Sequence, residues 1–223
     1  MSESKSVINP NTRVDYIDEF NKSKGYFILK RFIDVLGALA GIIIMLIPCL
    51  IVGMLIKLES KGPILFTQKR VGKNGKEFKM YKFRSMVIDA EEQLAKLKDK
   101  NEMSGPMFKI KEDPRVTKIG KFIRKTSIDE LPQLINVLKG EMSIVGPRPS
   151  LPKEVEQFTD YQKLRLMATP GLTCYWQICG RSNVDFEEWM EMDLQYCRDR
   201  STVKDINMIF KTVGVLFGDK DAC

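Results

Sequence analysis

Residues 35–56, VLGALAGIIIMLIPCLIVGMLI, contain no charged side chain, and a run of this length leaves few ways to fold. As a straight helix the run would be about 33 Å long, which is enough to cross the hydrocarbon core of a bilayer. It begins too late, is too long and lacks the following small-residue cleavage pattern of a secretory signal peptide. The run therefore predicts a helix that enters a membrane.

Two features leave the path of this helix through the membrane open. Pro48 lies near the middle of the run, where it removes one helical hydrogen bond and favours a kink. Basic residues, which mark the cytosolic side of a membrane helix, flank both ends of the run: Lys30, Arg31, Lys57, Lys61, Lys69 and Arg70. The residues alone allow an ordinary span, a re-entrant helix that bends at Pro48 and leaves on the face it entered, or a buried helix of a soluble domain.

The absence of histidine and the pattern of cysteines exclude several kinds of site. With no histidine in 223 residues, Ser-His triads, histidine general bases and histidine-ligated zinc are ruled out. The five cysteines are odd in number and form no C-x-x-C pair, which argues against a disulfide framework and a structural zinc site. Acid–base or nucleophilic chemistry must then come from Asp, Glu, Lys, Tyr, Ser or Cys, and the thiols are expected to be reduced in the cytosol.

The basic excess of the chain is concentrated in residues 57–84. This segment has nine Lys or Arg against two Glu, a net charge of +7 that equals the net charge of the whole chain. It predicts an anionic partner: a membrane face, a phosphate-bearing substrate or nucleic acid. Its few aromatic residues suit the core of a hairpin over residues 64–83, turning at Asn74-Gly75. A nucleic-acid partner is not expected, because a soluble DNA binder has no use for the uncharged run.

The remaining patterns predict a helix-rich α+β protein. Residues 1–25 are polar and predict a flexible tail, and residues 86–100 predict an exposed polar helix. Basic residues surround Ile119, Phe122 and Ile123 at helical spacing, which indicates an amphipathic helix that could lie on anionic lipid. Two later apolar stripes predict helices, for which core packing is the simplest interpretation: Val155, Phe158, Tyr161 and Leu164, then Val203, Ile206, Ile209, Phe210 and Val213.

Two adjacent acids, Asp129 and Glu130, stand out in SIDELPQLINVLKGEMSIVGPRP (127–149). They could simply begin a helix. The S-x-x-E pattern from Ser127 is a capping box, although it would put Pro132 at the fifth helical position, where an amide donor is expected. With Asp129 as the N-cap, Pro132 falls within the first turn, where no donor is needed.

The same acids could instead carry chemistry. A carboxylate at a helix start stays ionised because the amide dipoles favour its charge. An ionised Asp can attack phosphorus and form an acyl-phosphate, a covalent route open to a protein without histidine. Its hard oxygen also suits Mg²⁺, and nearby arginines would bind phosphate oxygens. The residues alone leave both interpretations of the acids open.

Five blocks in a fixed order connect the sequence to a known family. They are KRFIDVLGA (30–38), QKRVGKNGKEFKMYKFRSM (68–86), TKIGKFIRKTSIDELPQLINVLKGEMSIVGPRP (117–149), TPGLTCYWQICGR (169–181) and DLQYCRDRSTVKDI (193–206). With these blocks the chain closely resembles the monotopic polyprenol-phosphate phosphoglycosyl transferases, also called bacterial sugar transferases. Many members carry additional N-terminal membrane helices, and this sequence is expected to be the minimal catalytic form.

The resemblance implies an activity and a mechanism. Such enzymes move sugar-1-phosphate from a UDP-sugar to undecaprenyl phosphate, giving a polyprenyl diphosphate sugar and UMP at the first membrane step of exopolysaccharide, capsule or glycan assembly. Asp129 would attack the sugar-bearing phosphorus, and the lipid phosphate would then attack the aspartyl intermediate. Glu130 would position or deprotonate a reactant, and Mg²⁺ would sit beside Asp129. The alternative is a non-enzymatic membrane-surface scaffold.

The resemblance also implies roles for further residues and a membrane topology. The helix would be re-entrant, kinked at Pro48, and the active site would lie at the cytosolic face of the inner membrane. Arg31 and Asp34 would pair at the membrane boundary or bind the lipid head group. The residues expected to contact substrate are Arg148, Arg181, Arg124, Asp205, Lys82 and Arg84.

These implications complete the expected organisation. Residues 1–25 form a flexible tail, residues 26–62 a re-entrant membrane helix hairpin, and residues 63–223 a cytosolic, membrane-surface catalytic domain with a small β-hairpin. The expected partners are a UDP-sugar, undecaprenyl phosphate and the lipid bilayer. The sequence leaves the sugar, the polymer and the choice between monomer and homodimer open.

Overall fold

The uncharged run lies within one long helix, α1 (Lys24–Glu59), in a computed structural model that describes residues 20–94, 97, 110, 112–179 and 185–216. The Ser23 side chain caps its start by accepting a hydrogen bond from the Tyr26 amide at 3.2 Å. The helix continues through Pro48 and ends at Ser60, whose backbone is extended. By length and composition α1 could cross a membrane.

Most of the surface of α1 is not packed against protein. Ile43, Ile44 and Ile47 are 73%, 73% and 69% exposed, whereas Ala38 is completely buried. A contiguous apolar surface of this kind on a folded chain marks an interaction with a membrane or another protein. Of the three alternatives, a helix buried in a soluble core therefore does not describe α1.

Both halves of α1 nevertheless contact the rest of the chain. In the first half, Ala38 packs with Leu134 and Val137 of helix α4 (Gln133–Lys139). A Cβ at Gly41 would lie 3.0 Å from Cδ1 of Leu134, so a small residue is needed where the two helices approach. In the second half, Val52 and Ile56 pack with Phe83 and Ile123. The two ends of α1 are thus held by one body of protein.

The predicted hairpin is confirmed. Strands β1 (Leu65–Val71) and β2 (Glu77–Phe83) pair antiparallel, from Leu65 opposite Phe83 to Val71 opposite Glu77. Asn74 and Gly75 take left-handed backbone angles, with φ of 56° and 78°. Such angles favour Asn and Gly, which explains why this dipeptide marks the turn.

Asn136 of α4 joins the helix to the free edge of β2. Its side-chain oxygen accepts from the Tyr81 amide at 3.1 Å, and its nitrogen donates to the Lys79 carbonyl at 2.7 Å and to Glu141 Oε2 at 2.6 Å. The residue is completely buried. One side chain therefore satisfies polar backbone groups that a further strand would otherwise pair.

The C-terminal half adds a second small sheet and two long helices. Strands β3 (Ser143–Val145) and β4 (Gly171–Thr173) are parallel. Between them lie two short helices, α5 (Pro152–Val155) and α6 (Asp160–Lys163). After them come α7 (Tyr175–Cys179), α8 (Phe186–Asp199) and α9 (Thr202–Leu216). The core cluster beneath includes Phe20, Leu194, Cys197 and Met208.

Several predicted helices differ from the structure in extent. The first late apolar stripe forms α5, α6 and a 3-10 turn at Leu164–Met167 rather than one helix, because Thr159 caps a new helix start. Within residues 86–100, the described residues contain one five-residue α-helix, α2 (Ala90–Leu94). Helix α3 (Lys118–Lys125) forms as expected, with Ile123 buried and Phe122 53% exposed.

Core packing is the wrong interpretation for most of the second stripe. Along α9, Met208 is buried, but four of the five stripe residues are exposed. Their exposed fractions are 77% for Val203, 40% for Ile206, 71% for Phe210 and 46% for Val213. Helix α9 therefore presents an apolar face to its surroundings, as α1 does.

We expect Asn136→Ala to lower the free energy of unfolding by about 2–4 kcal/mol, because it leaves partly buried β2 backbone groups without partners. Chemical denaturation of the detergent-solubilised protein measures the loss. The matched control is Asn207→Ala on the exposed side of α9, which should change stability by less than about 0.5 kcal/mol. Equal losses in the two variants would contradict the bridging role of Asn136.

Candidate active site

The acid pair lies in a short turn between α3 and α4. Helix α3 ends at Lys125, and Ser127 takes a left-handed conformation with φ of 58°. A 3-10 turn, Ile128–Glu130, follows, and Pro132 occupies the N-cap position of α4. Neither capping interpretation holds, because Ser127 makes no side-chain cap hydrogen bond and Asp129 is not the N-cap. The carboxylates are left available for another role.

Asp129 is buried without a hydrogen-bonding partner among the described residues, and only 8% of it is exposed. The pKa of Asp129 is raised to about 6, and burial is the main cause. Within this value the charge of Glu130 also acts to raise the pKa, while the charges of Lys82, Arg124 and Arg148 act to lower it. A buried polar group normally has a partner, so this carboxylate is placed to meet something that enters the site.

Glu130 has a different environment from its neighbour. Its Oε1 lies 2.6 Å from Lys82 Nζ on β2 and 3.7 Å from Arg148 Nη1. Burial lowers the pKa of Lys82, and the charge of Glu130 opposes that effect. Adjacent acids with such unequal surroundings suit unequal roles, one held in an ion pair and one available to react.

The turn that carries Arg148 is fixed from behind by a buried arginine. Arg165 donates to the Arg148 carbonyl at 2.7 Å and also binds Ser150 Oγ and the Asp193 carboxylate. The side chains of Arg165 and Asp193 are each 1% exposed. Because breaking a buried ion pair is costly, this pair holds the Gly146–Pro149 turn rigid beside Glu130.

A cleft with about 230 Å³ of empty volume opens next to Glu130. Three of the predicted site residues line it, namely Lys82, Glu130 and Arg148. Sequence reasoning missed two others, Arg70 and Gln133, although both lie inside the motif blocks. Only a three-dimensional arrangement could single them out from their neighbours in the chain. The described residues that line the cleft are Arg70, Met80, Lys82, Glu130, Gln133, Arg148, Pro149, Gly171, Leu172 and Gln177.

Two basic residues predicted to meet ligands have described contacts that hold α1 and α4 in place, and their contact with ligands stays a prediction. Arg84 donates to the Ser60 carbonyl at 2.9 Å and to the Lys61 carbonyl, just past the end of α1. Arg31 donates to the carbonyls of Val137 and Leu138, each at 2.6 Å, at the end of α4. Cations bind favourably to the terminal carbonyls of a helix. The described contacts of both arginines are therefore structural.

Two predicted acids also lie away from the pair. The Asp34 carboxylate accepts from Ser143 Oγ and the Ile144 amide, both at 2.9 Å. Its described contacts include no ion pair with Arg31, so of the two roles predicted for these residues the binding of a lipid head group stays a prediction. Asp34 instead ties α1 to β3.

Asp205 belongs to a buried network between α1 and α9. Its carboxylate accepts from Tyr26 at 2.9 Å, Lys30 at 2.9 Å and Tyr196 at 2.8 Å. These contacts join helices and do not bring Asp205 to the acid pair. Arg181, also predicted to meet substrate, lies outside the described residues. Pro48 lies within α1, and Arg124 stands in α3 close enough to lower the pKa of Asp129.

The residues present are compatible with a magnesium ion that is held largely by substrate. Within the described ranges, no three Asp, Glu or Cys side chains converge to form a preformed metal cage. Mg²⁺ commonly binds through one or two carboxylates together with substrate phosphates and water. Asp129 offers one carboxylate of this kind, since no described residue donates to it.

Comparison with known proteins adds independent evidence. The sequence model of the family described as "Bacterial sugar transferase" matches residues 25–219. The chain is 50% identical to the galactosyl transferase CpsE of Streptococcus agalactiae serotype III (strain NEM316) over 86% of this chain and 42% of that protein. It is 42% identical to the undecaprenyl-phosphate galactose phosphotransferase of Salmonella typhimurium over 84% of this chain and 40% of that protein.

A shorter relative matches over most of its own length. The exopolysaccharide production protein ExoY of Sinorhizobium fredii is 38% identical over 83% of this chain and 84% of that protein. The chain thus spans about two fifths of the longer relatives and most of the shorter one. Since the family match covers nearly all of its described residues, this chain belongs to the bacterial sugar transferase family.

Proposed function

We propose that this protein transfers sugar-1-phosphate from a UDP-sugar to undecaprenyl phosphate, releasing UMP. The observation that carries the proposal is the buried Asp129 carboxylate, which has no hydrogen-bonding partner among the described residues and lies within reach of three positive charges. The names of the relatives, among them an undecaprenyl-phosphate galactose phosphotransferase and an exopolysaccharide production protein, support the substrate class and a role in polysaccharide assembly.

The reaction proceeds in two displacements at one phosphorus atom. An Asp129 oxygen bonds to the sugar-bearing phosphorus, the bond from that phosphorus to the bridging oxygen breaks, and UMP leaves with the electron pair. A lipid phosphate oxygen then bonds to the same phosphorus, and the aspartyl carboxylate is regenerated. Lys82, Arg124 and Arg148 stabilise the charge that develops on the phosphoryl oxygens and the leaving group.

Glu130 and a metal ion have supporting roles. Held by Lys82 at 2.6 Å, Glu130 orders the turn and orients its neighbour, so that Asp129 need not reorganise during attack. Mg²⁺ bound through Asp129 and the donor diphosphate would neutralise phosphate charge.

The contacts of α1 support a re-entrant helix. Residues near both ends of α1 are held by the same domain: Asp34 binds Ser143, and the backbone just after Glu59 binds Arg84. A straight span would place its two ends on opposite sides of the membrane, where one domain could not contact both. These contacts support a helix that enters one leaflet, bends near Pro48 and returns, and the flanking basic residues support a domain on the cytosolic face of the inner membrane.

Other exposed apolar residues support a domain that rests on the membrane surface. Phe122 projects from a helix rich in Lys and Arg, and Val203 and Phe210 project from α9. An amphipathic helix with a basic polar face lies in the interface between lipid head groups and acyl chains. These surfaces would hold Asp129 near the lipid phosphate.

We expect Asp129→Asn to reduce UMP release by roughly a thousandfold or more, because the amide cannot form the aspartyl intermediate. UMP release from a panel of UDP-sugars with undecaprenyl phosphate and Mg²⁺ measures the effect. Asp160→Asn, which alters an exposed carboxylate in α6, should retain the wild-type rate. Membrane binding should be the same in both variants. A fully active Asp129→Asn would exclude covalent catalysis, and a wild type that releases UMP from no UDP-sugar would favour the scaffold alternative.

The raised pKa of Asp129 predicts a pH dependence for the first displacement. The reacting form is deprotonated, so formation of the intermediate should be maximal above the pKa and fall as pH decreases through about 6. The measurement is the burst of UMP without lipid acceptor, because monoester phosphates themselves titrate near pH 6.

Two neighbours of Asp129 should move this midpoint in opposite directions. Lys82→Met removes a charge that lowers the pKa of Asp129, so the midpoint should rise. Glu130→Gln removes a charge that raises this pKa, so the midpoint should fall. Lys121→Met alters an exposed surface lysine and should leave the midpoint unchanged. A midpoint insensitive to both neighbours would show that another group titrates.

The re-entrant helix predicts that residues flanking α1 are labelled from the same side. In a protein whose native cysteines are replaced, Ser23→Cys and Ser60→Cys should each react with an impermeant maleimide only in inside-out vesicles. Asp160→Cys on the domain provides the reference for that side. Labelling of the two flanking positions from opposite sides would establish a span.

A further inference from the structure

Only one of the two adjacent acids lines the cleft. Glu130 contributes to its wall, whereas Asp129 does not. Among the described residues, three cations, Arg70, Lys82 and Arg148, line the cleft with this one carboxylate, which gives their side chains a net charge of +2. A partly enclosed site with uncompensated positive charge favours an anionic group such as a phosphate ester.

Gln133 supplies a hydrogen-bonding group that the protein itself does not use. It is the first residue of α4, lines the cleft and is only 2% exposed. Within the described part of the chain, nothing hydrogen-bonds to its side-chain amide. A carboxamide that lines the cleft and has no described protein partner keeps its donor and acceptor groups open to a ligand. Its position therefore indicates a ligand that completes its hydrogen bonds.

Arg70, which also lines the cleft, provides a second, independent observation. Its Nη1 donates to the Pro149 carbonyl at 3.2 Å and its Nη2 to Gln68 Oε1 at 2.7 Å. The Nε is buried and has no partner among the described residues. Burial and the nearby charge of Arg148 lower the pKa of Arg70 to about 10. Two like charges held together in a cleft, one of them with an unused donor, form a site for an anion.

The size of the cleft limits what it can hold. Its empty volume of about 230 Å³ includes space open to solvent, so the enclosed part is well below the roughly 300–1,000 Å³ of clefts that enclose a whole drug-sized ligand. The cleft is therefore suited to part of a nucleotide sugar. Because it adjoins Glu130 and excludes Asp129, that part is not the phosphorus that Asp129 attacks.

We propose that Arg70, Gln133 and Arg148 bind the nucleoside monophosphate portion of the donor, holding the phosphate that departs with UMP. This inference rests on the proposed function and assigns the leaving group to one subsite. When the bond between the sugar-bearing phosphorus and the bridging oxygen breaks, its electron pair stays on that oxygen. The two arginines and the carboxamide stabilise the resulting charge, and they also bind UMP as a product.

The test compares the donor, the product and the acceptor in the same variants. Gln133→Met removes the amide at nearly constant volume, and Arg70→Met removes the guanidinium. In each variant, KM for the UDP-sugar and the inhibition constant for added UMP should rise at least roughly tenfold, as expected for a lost hydrogen bond to a charged group. KM for undecaprenyl phosphate should stay within about twofold, since the acceptor binds elsewhere.

Matched controls lie close by in the fold. Gln195→Met alters an exposed glutamine of α8, and Lys69→Met alters an exposed lysine next to Arg70 on β1. Both should behave as wild type. Gln133→Glu places a negative charge in the anion site and should weaken UMP binding more than Gln133→Met does. It also provides a readout if the methionine variant fails to fold.

The possible outcomes separate this inference from the proposed function. Undecaprenyl phosphate also carries a phosphate group that the cleft could bind. A raised KM for undecaprenyl phosphate with unchanged UMP inhibition would assign the cleft to the acceptor and overturn the inference. Variants indistinguishable from their controls in an active enzyme would also overturn it while leaving the transfer reaction intact. A wild type that neither binds UMP nor releases it would instead contradict the proposed function.

Discussion

The ion pair between Lys82 and Glu130 determines how the acid pair is used. It joins β2 to the turn between α3 and α4 at 2.6 Å, with both side chains less than one fifth exposed. A partly desolvated pair of this kind is costly to break, because either partner alone would be left as an uncompensated charge. By engaging Glu130, Lys82 fixes the turn and leaves Asp129 with no competing hydrogen bond. The hairpin carries the basic excess of the sequence. Through Lys82 it acts on a carboxylate that lies nearly fifty residues later in the chain.

The parts of the fold that the sequence could predict depend on local patterns. The uncharged run, the Asn74-Gly75 turn and α3 each follow from residues close together in the chain. The resemblance of the motif blocks brought attention to the acid pair. The local pattern could not decide the role of Ser127 and Asp129, because the same residues are compatible with a capping box and with a left-handed turn. Their backbone conformation is set by how α3 and α4 pack on α1.

The roles of individual charged residues were less predictable for the same reason. Arg31, Arg84 and Asp205 fall in motif blocks, yet their described contacts hold helices together. A guanidinium suits a helix-end carbonyl as well as a phosphate. The residue type alone therefore cannot distinguish a structural arginine from one that binds a ligand. Conversely, no sequence pattern distinguishes Gln133 as a site residue. Only the structure shows that it is buried and that its amide has no partner among the described residues. Membership of a motif therefore does not by itself indicate contact with a ligand.

The arginine contacts at the two ends of α1 have a consequence for how the protein sits in lipid. Arg31, near the start of α1, donates hydrogen bonds to the carbonyls at the end of α4, and Arg84 donates to the carbonyls that follow α1. In the proposed re-entrant arrangement, the helix cannot slide along its axis to suit a thicker or thinner bilayer without breaking these bonds. The immersion depth is then a property of the protein and not of the surrounding lipid. Asp129 would keep a constant height relative to the acyl chains while membrane composition varies.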